Sequence, residues 1–320
     1  MRLCKFKSDG GICCKLSISY VCPHIKTHYD VPDISNYIIA SLVFILGILI
    51  QFSSFYNYPL ASKSAIMAIK PLSEIFAERA VELRKYIFDQ PASTFTNNPW
   101  ALADAIEVFA NQVGHMMIFR KSKFAVAREQ LLAQQPAPRT IVEFGTFVGK
   151  SALAWAAILR DLHGENVPKD VNIYTFDPDA QMVALTLEFV KLAGVEDFVH
   201  VLQGPGSDSL KKLHAEGKLT TIDMAFFDHW EKFYVSDLKL IEELKLWRVG
   251  SLAIADNTVF PGAPDYLDYV KAGGSGVSGS VKYETKSFET SGKRGGPVSF
   301  VSKKFALGLR LMNHSRASSR

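Results

Sequence analysis

Residues 228–232 read Asp-His-Trp-Glu-Lys and directly follow the predominantly apolar run 222–227. Such a run is typical of a strand that helices cover on both faces, and ligands of open α/β sheets bind beyond the carboxyl ends of the strands. Within five positions the segment offers groups that can bind a cation, stack on a flat ring and transfer a proton. It is the first candidate site in the chain.

A second predicted strand, 251–255, ends on Asp256 and Asn257. If the two strands are neighbours, the oxygens of Asp228, Asp256 and Asn257 face one point. Three hard oxygen donors with room for water or substrate suit Mg²⁺ better than zinc, so we expect a Mg²⁺ site there. The alternative interpretation is that these are ordinary loop acids and helix caps.

The turn after the predicted strand 140–144 contains Glu143, Gly145, Phe147 and Ser151. Glycines in a tight strand-to-helix turn let a nucleoside cofactor approach the backbone closely. Phe147 replaces the second glycine of a dinucleotide-binding turn, which disfavours a phosphate but not a methionine-sulfonium group. An acid-x-Gly turn of this kind is typical of enzymes that use S-adenosylmethionine, and the alternative is a tight turn without a ligand.

Three other positions complete the expected cofactor site. Asp177, after the predicted strand 171–176, could bind ribose hydroxyls or cap the next helix. The small residues of 204–208, including Gly206 and Ser207, offer a wall for an adenine ring. His229 and Trp230 are placed to close the opposite side of that ring.

From residue 139 onward, short apolar strands alternate with amphipathic helices, which predicts a doubly wound parallel α/β sheet. Segments 281–288 and 298–301 lack a helix between them and predict a C-terminal antiparallel hairpin. Helices are predicted before the sheet. The predicted helices are 71–88, 101–112, 122–134, 150–162, 181–193, 209–216, 235–246 and 263–270, and the remaining strand is 198–202.

Composition argues against several classes of protein. The formal net charge of the 320 residues is only +4, and no aromatic-and-basic pattern indicates nucleic-acid binding. All four cysteines lie between residues 4 and 22, so the main domain needs neither disulfides nor thiolate metal ligands. The spacing of Cys13, Cys14, Cys22 and His24 fits no usual zinc site.

Residues 36–56 are uncharged and long enough to cross a bilayer as a helix. We expect a single-pass membrane anchor, preceded by a basic, cysteine-containing segment (1–35). A linker (57–70), a main α/β domain (71–304, with a helical lead-in 71–135 and a sheet core 139–304) and a disordered basic tail (305–320) would follow. A natural start at Met67, which would make the protein cytoplasmic, and a cleaved signal peptide are the alternatives.

Two blocks carry a family resemblance: Phe-Phe-Asp-His-Trp at 226–230 and Ala-Asp-Asn-Thr-Val-Phe-Pro-Gly-Ala-Pro-Asp at 255–265. With 143–151 and 192–195, they make the chain resemble the catechol O-methyltransferases over about 113–303. The resemblance implies a Rossmann-like methyltransferase sheet and Mg²⁺-dependent methyl transfer from S-adenosylmethionine to a small aromatic diol. It also leads us to expect a monomeric catalytic domain.

The resemblance also implies roles for single residues. Asp228, Asp256 and Asn257 would bind Mg²⁺, and Asp228 would also border the cofactor. Glu143 and Gly145 would lie in the cofactor site, with His229 and Trp230 along the adenine. Pro261 would form part of a hydrophobic gate, and Glu289, with a one-residue gap, would accept the second catechol hydroxyl.

Two departures from the family pattern concern catalysis and the ribose. Glu231 occupies the position of the family's general-base lysine, and Lys232 follows one residue later. Lys232, Glu231 or the metal alone could therefore promote loss of the phenol proton. Thr175 occupies the position of the ribose-binding glutamate, so Asp177 would have to replace it.

Other functions stay open from the sequence. The chain could methylate other aromatic diols, such as caffeoyl-type esters or secondary metabolites. It could also bind the cofactor without turnover, in a membrane or partner role. An NAD-dependent enzyme is disfavoured by Phe147.

Overall fold

The computed structural model describes residues 70–114, 116–277, 281–288 and 299–306, all within one compact unit, Lys70–Arg320. Within the described residues, three helices precede the sheet: α1 (Leu72–Phe88), α2 (Pro99–Val113) and α3 (Lys121–Leu132). Helix α2 begins two residues earlier than predicted, because Pro99 is tolerated in the first turn and the Asn98 side chain accepts the Ala101 N–H at 3.0 Å.

The described strands form one seven-stranded sheet in the order β3-β2-β1-β4-β5-β7-β6. Strands β1 to β5 pair in parallel, whereas β7 pairs antiparallel with both β5 and β6, as the predicted C-terminal hairpin requires. The strands are β1 (Thr140–Phe144), β2 (Asn172–Asp177), β3 (Val199–Gln203), β4 (Ile222–Phe227), β5 (Trp247–Ala255), β6 (Val281–Phe288) and β7 (Ser299–Ala306).

Helices follow each of the first five strands, as the alternation predicted. They are α4 (Lys150–His163), α5 (Ala180–Leu192), α6 (Gly206–Ala215), α7 (Tyr234–Glu243) and α8 (Pro264–Lys271). A short 3₁₀ turn (Glu231–Phe233) precedes α7, and a π-helical turn (Thr258–Gly262) precedes α8.

Alternate residues of the strands support two hydrophobic layers. On β1, Ile141 packs with α1 to α5, whereas its neighbour Val142 packs with α6 to α8. The same alternation separates Met224 from Ala225 on β4. The central strands are therefore buried on both faces, and polar groups for chemistry are left at the strand ends.

Several predicted boundaries were wrong. Strand β7 ends at Ala306 rather than 301, so the first two residues of the tail predicted from 305 belong to this strand. Strand β5 begins at Trp247, not 251, because an irregularity lets Trp247 pair with Ile222 before Leu252 pairs with Met224. Gly250 in this segment, with φ of 85°, breaks the apolar pattern that marked the strand in the sequence. Helix α6 begins at Gly206 rather than 209, so the predicted small-residue wall is the first turn of a helix.

Among the helices that the structure describes, none combines the length and apolar character needed to cross a membrane. The predicted anchor (36–56), the tail beyond 306 and Glu289 lie outside the described residues.

Candidate active site

The carboxyl ends of β4 and β5 lie side by side. Phe227 and Ala255 are paired in parallel register, so the next residues, Asp228 and Asp256, emerge at the same edge. The Asp256 N–H donates to the Phe227 carbonyl at 3.0 Å, and the Asp228 N–H donates to the Phe144 carbonyl at 2.9 Å. The sheet ladder therefore continues into the site and fixes the backbone of both acids.

The three predicted metal ligands are brought together. The Asn257 amide lies 3.5 Å from the Asp228 carboxylate, and the Asn257 backbone N–H donates to Asp256 Oδ1 at 2.8 Å. Asn257 adopts a left-handed conformation with φ of 55°, which turns the chain sharply after Asp256. Two carboxylates and one amide thus share one point at the sheet edge.

The ammonium group of Lys123, from the first turn of α3, also reaches this point. Its Nζ donates to both oxygens of Asp256, at 2.5 and 2.8 Å. Both side chains are buried. Nothing in the local sequence distinguishes Lys123 from its neighbours Arg120 and Lys121, so it was not among the predicted site residues.

Electrostatics at the acid pair favour a cation. Removal from water and the negative charge of Asp256 raise the pKa of Asp228 well above its ordinary value, although part of Asp228 faces the cavity. Lys123 opposes that rise. The donor set is one that Mg²⁺ prefers. No group of three or more His, Cys, Asp or Glu side chains suited to a metal occurs in the described part of the chain, so a zinc-type cluster has no counterpart there.

The glycine turn after β1 packs directly against the acid pair. Gly145 has a φ of 104°, and a Cβ atom at this position would lie 2.3 Å from the Asp228 carbonyl oxygen. Its N–H donates to the Phe176 carbonyl at 3.0 Å. The absence of a side chain therefore lets the turn touch the strand end that carries Asp228.

Phe147 takes a left-handed conformation with φ of 47°. Its N–H donates to Asp177 Oδ2 at 2.8 Å, and its ring meets Phe76 of α1 edge-on, with centroids 5.5 Å apart. Asp177 is not the helix cap that the sequence left open, since Asp179 accepts the first N–H groups of α5. Burial raises the pKa of Asp177. Its carboxylate is thus free of a capping role and lines the cavity.

Glu143 lies behind the turn and does not line the cavity. It is fully buried and accepts hydrogen bonds from Trp155 Nε1 at 3.1 Å and Thr175 Oγ1 at 2.6 Å. Desolvation raises its pKa to about 7, against hydrogen bonds from Ser151 and Thr175. Thr175, at the position of the family's ribose-binding glutamate, thus donates its hydroxyl to Glu143. Asp177 is the acid at the end of β2 that lines the cavity.

His229 is held rigidly on the other side of the site. Its Nε2 lies 2.8 Å from Asp237 Oδ2. Its ring stacks on Phe144 and Phe233, with centroids 5.5 and 6.2 Å away. Its Nδ1 is buried without a hydrogen-bond partner, which leaves one polar atom available to a ligand.

The two candidate bases face different surroundings. The Lys232 ammonium sits 3.6 Å from the ring centroid of Trp230 and 4.8 Å from that of Phe233, a cation–π arrangement. Both rings line the cavity, whereas Lys232 itself does not. Trp230 is 65% exposed. Glu231 lines the cavity, and its charge contributes to the raised pKa of Asp228.

One cavity of about 2070 Å³ unites these elements. Every predicted site residue within the described residues lines it except Glu143 and Lys232. Gly206 and Ser207 contribute as expected, and a Cβ atom on Gly206 would lie 2.4 Å from the Phe144 ring. Pro261 lines the same cavity.

Glu107 and Phe119 of the helical lead-in also line the cavity, and no pattern in the sequence predicted this. Both contact Lys150 of α4. Lys150 is buried, lies 2.9 Å from Glu107 of α2, and donates to the Phe119 carbonyl at 2.7 Å. Burial lowers its pKa, against the attraction of Glu107. This pair holds the segment before α3, which carries Phe119, against the glycine turn.

A sequence profile of the family described as O-methyltransferase matches residues 96–268. Catechol O-methyltransferase from Bos taurus is 31% identical over 193 residues, which cover 60% of this chain and 65% of that protein. Catechol O-methyltransferase from Sus scrofa is 33% identical over 143 residues, 45% of this chain and 73% of that protein.

Among solved structures, the O-methyltransferase from Bacillus cereus in complex with SAH is 19% identical. The match covers 72% of this chain and 99% of the Bacillus cereus chain, with a TM-score of 0.47. The bovine alignment spans slightly less than two thirds of that relative's length, while the profile covers more than half of this chain. The chain therefore belongs to the O-methyltransferase family.

Proposed function

We propose that the protein transfers a methyl group from S-adenosylmethionine to a hydroxyl of a catechol-like vicinal diphenol, with Mg²⁺. One observation carries the proposal: Asp228, Asp256 and Asn257 meet at the edge of the cavity that the Gly145 turn also lines. A hard-cation site beside a nucleoside-sized site is the combination that this reaction needs. The curated relatives named catechol O-methyltransferase support the choice of substrate.

The residues present fit the cofactor. The Asp177 carboxylate suits ribose hydroxyls, and the buried His229 Nδ1 lacks a partner that a nucleoside could supply. Gly145 and Gly206 both line the cavity, and the lack of a side chain at Gly145 brings the turn against the strand end that carries Asp228. When bound, S-adenosylmethionine supplies an electrophilic methyl carbon. The chain's task is to hold the acceptor oxygen in line with that carbon at near-attack distance.

The residues also fit Mg²⁺. Asp228, Asp256 and Asn257 would hold it, and it would stabilise the negative charge of a bound phenolate. Pro261 lines the same cavity as this oxygen cluster and suits the apolar face of an aromatic ring. Exclusion of water by such a wall favours a reaction in which opposite charges cancel.

Glu231 is better placed than Lys232 to accept the proton of the phenol. It shares the cavity with Asp228, whereas the Lys232 ammonium is held on the Trp230 indole. A carboxylate that takes the phenol proton would transfer it to water at the open side of the cavity. Glu289, the expected partner of the second hydroxyl, stays a prediction.

A second candidate function is methylation of larger aromatic diols, such as caffeoyl-type esters. The cavity of about 2070 Å³ favours it, because most small-molecule sites measure about 300–1,000 Å³. A panel of vicinal diphenols of increasing size, compared by kcat/KM, discriminates between the two candidates.

The test uses the full chain with labelled S-adenosylmethionine, catechol, and either Mg²⁺ or a chelator. We expect label on catechol only with Mg²⁺, and its loss in Asp256→Asn. Asp268→Asn, on the exposed face of α8, is the matched control and keeps the activity. Cofactor binding without transfer to any vicinal diphenol would contradict the proposal and favour a binding role.

We also propose that residues 36–56 anchor the protein in a membrane as a single span. Their uncharged, apolar sequence supports it. Alkaline carbonate extraction of membranes from expressing cells checks this: the full chain should stay in the pellet. Its release, or identical behaviour of a chain that starts at Met67, would contradict the anchor.

A further inference from the structure

Lys123 makes the closest charged contact with the proposed metal site. Its Nζ donates to Asp256 Oδ1 at 2.5 Å and to Oδ2 at 2.8 Å, and Asp256 is 3% exposed. The Asn257 N–H donates to the same Oδ1 at 2.8 Å. The carboxylate is therefore fixed from two sides before any ligand binds.

The surroundings of Lys123 are largely aromatic, and its side chain is only 5% exposed. Its ammonium lies 5.6 Å from the ring centroid of Phe119, which packs against Phe124 and Phe226 at 4.7 and 4.8 Å. Lysines are seldom buried unless they are paired, and charges interact more strongly where water is excluded. The Lys123–Asp256 pair is thus the interaction that makes burial of both charges tolerable.

The charge count at the site sets the expected effect on a cation. When both are ionised, Asp228 and Asp256 contribute two negative charges, and Lys123, paired with Asp256, offsets one of them. A divalent cation at Asp256 would lie close to the ammonium and be repelled by it. Without the ammonium, the same oxygens would attract the cation more strongly but repel each other when it is absent.

We propose that Lys123 is a built-in counter-ion of the divalent-cation site, which holds Asp256 in place without the metal and weakens metal affinity. The inference rests on the Mg²⁺ site of the proposed function. Lys123 is a positioning residue, since it acts through Asp256. It keeps the metal exchangeable and the metal-free protein folded.

The experiment measures Mn²⁺ binding by calorimetry on the full chain after chelator treatment, together with thermal unfolding. We expect Lys123→Met to bind Mn²⁺ at least about tenfold more tightly than the wild type. Its metal-free Tm should be lower, and saturating Mn²⁺ should raise its Tm by more than it raises that of the wild type. Lys121→Met is the matched control: it lies two residues away, with a 70% exposed side chain paired to Asp104, and should change Mn²⁺ affinity less than twofold.

The outcomes separate the inference from the function on which it rests. Equal or weaker Mn²⁺ binding by Lys123→Met, with binding by the wild type intact, overturns the inference alone. No binding by the wild type or by Lys123→Met overturns the metal site and the inference together. If Lys123→Met does not fold in chelator, Lys123→Gln is measured in its place and should also bind more tightly. Folding of either variant only with Mn²⁺ supports the inference.

Discussion

Glu143 shows how a single residue can support the site without facing it. Its carboxylate is buried beneath the glycine turn, where Trp155 and Thr175 donate to it. Thr146, which lines the cavity, bonds Thr175 in turn through hydroxyls 2.5 Å apart. The carboxyl group therefore links the sheet to the wall of the cavity through a chain of hydrogen bonds.

We predict that Glu143 makes stability depend on pH. Its folded pKa of about 7 exceeds the ordinary value of 4.5, so the native state binds more protons than the unfolded state between these values. The stabilisation is complete below about pH 4.5 and is lost as the pH rises through about 7, roughly 3 kcal/mol in all. Urea unfolding at pH 5 and pH 8 should show this loss in the wild type and a smaller one in Glu143→Gln. Equal losses in both proteins would rule out Glu143 as the source.

Glu231 and Lys232 are the two candidates for the general base. We predict that Glu231→Gln lowers kcat on the accepted diphenol about 100-fold, since general bases contribute about 10²–10⁴-fold. Lys232→Met should lower kcat less than about threefold, because the Lys232 ammonium is held on the Trp230 ring and Lys232 does not line the cavity. Steady-state kinetics of both variants at saturating Mg²⁺ check this. The reverse order of effects would return the role to Lys232.

At the scale of elements, the strand ends opposite the site are tied together by one acid. Asp223, the second residue of β4, accepts the N–H groups of Arg139 and Thr140, at 2.7 and 2.8 Å. It also pairs with the side chain of Arg248, the second residue of β5, beside the register shift. A charged residue inside an apolar strand run is thereby satisfied by its neighbours on both sides.

We predict that Asp223→Ala lowers the free energy of unfolding by about 3–5 kcal/mol, because it removes the acceptor of the Arg248 Nε and of the Arg139 and Thr140 N–H groups. Asp170→Ala is the matched control. It removes another acid that binds Arg139, but with a 67% exposed side chain, and should cost less than about 1 kcal/mol. Denaturant unfolding measures both. Similar costs would mean that the Asp223 contacts contribute little.

At the scale of the whole molecule, the cavity joins parts of the chain that are distant in sequence. The segment before α3, the turn after β1 and the ends of β4 and β5 all contribute to its lining. Buried ion pairs connect these parts, Lys150 with Glu107 and Lys123 with Asp256. A ligand in this cavity would therefore stabilise the sheet and the helical lead-in together.

We predict that S-adenosylhomocysteine, at about 100 times its Kd, raises the Tm by roughly 5 °C or more. NAD⁺ at the same concentration should shift the Tm by less than about 1 °C, because Phe147 replaces the glycine that a pyrophosphate requires. Differential scanning calorimetry measures both shifts. Equal Tm shifts by the two ligands would contradict the assignment of the turn after β1 to S-adenosylmethionine.

The alternation of strands and helices from residue 139 onward, and the residues at the strand ends, could be predicted from the amino-acid pattern alone. Apolar periodicity and glycine turns are local signals, and parallel pairing requires the ends of β4 and β5 to share one edge. The same reasoning put β5 four residues late, because Gly250 interrupts the local pattern while tertiary pairing with Ile222 restores the strand.

Which charged residues face the site could not be predicted from the sequence and follows from long-range packing. Lys123 and Lys150 are ordinary lysines in the sequence, and their burial depends on acids 133 and 43 residues away. Local geometry likewise turned Lys232 onto Trp230 and left Glu231 in the cavity. The physical reason is that periodicity encodes which face of an element is buried, whereas the partner of a charge depends on how distant elements pack.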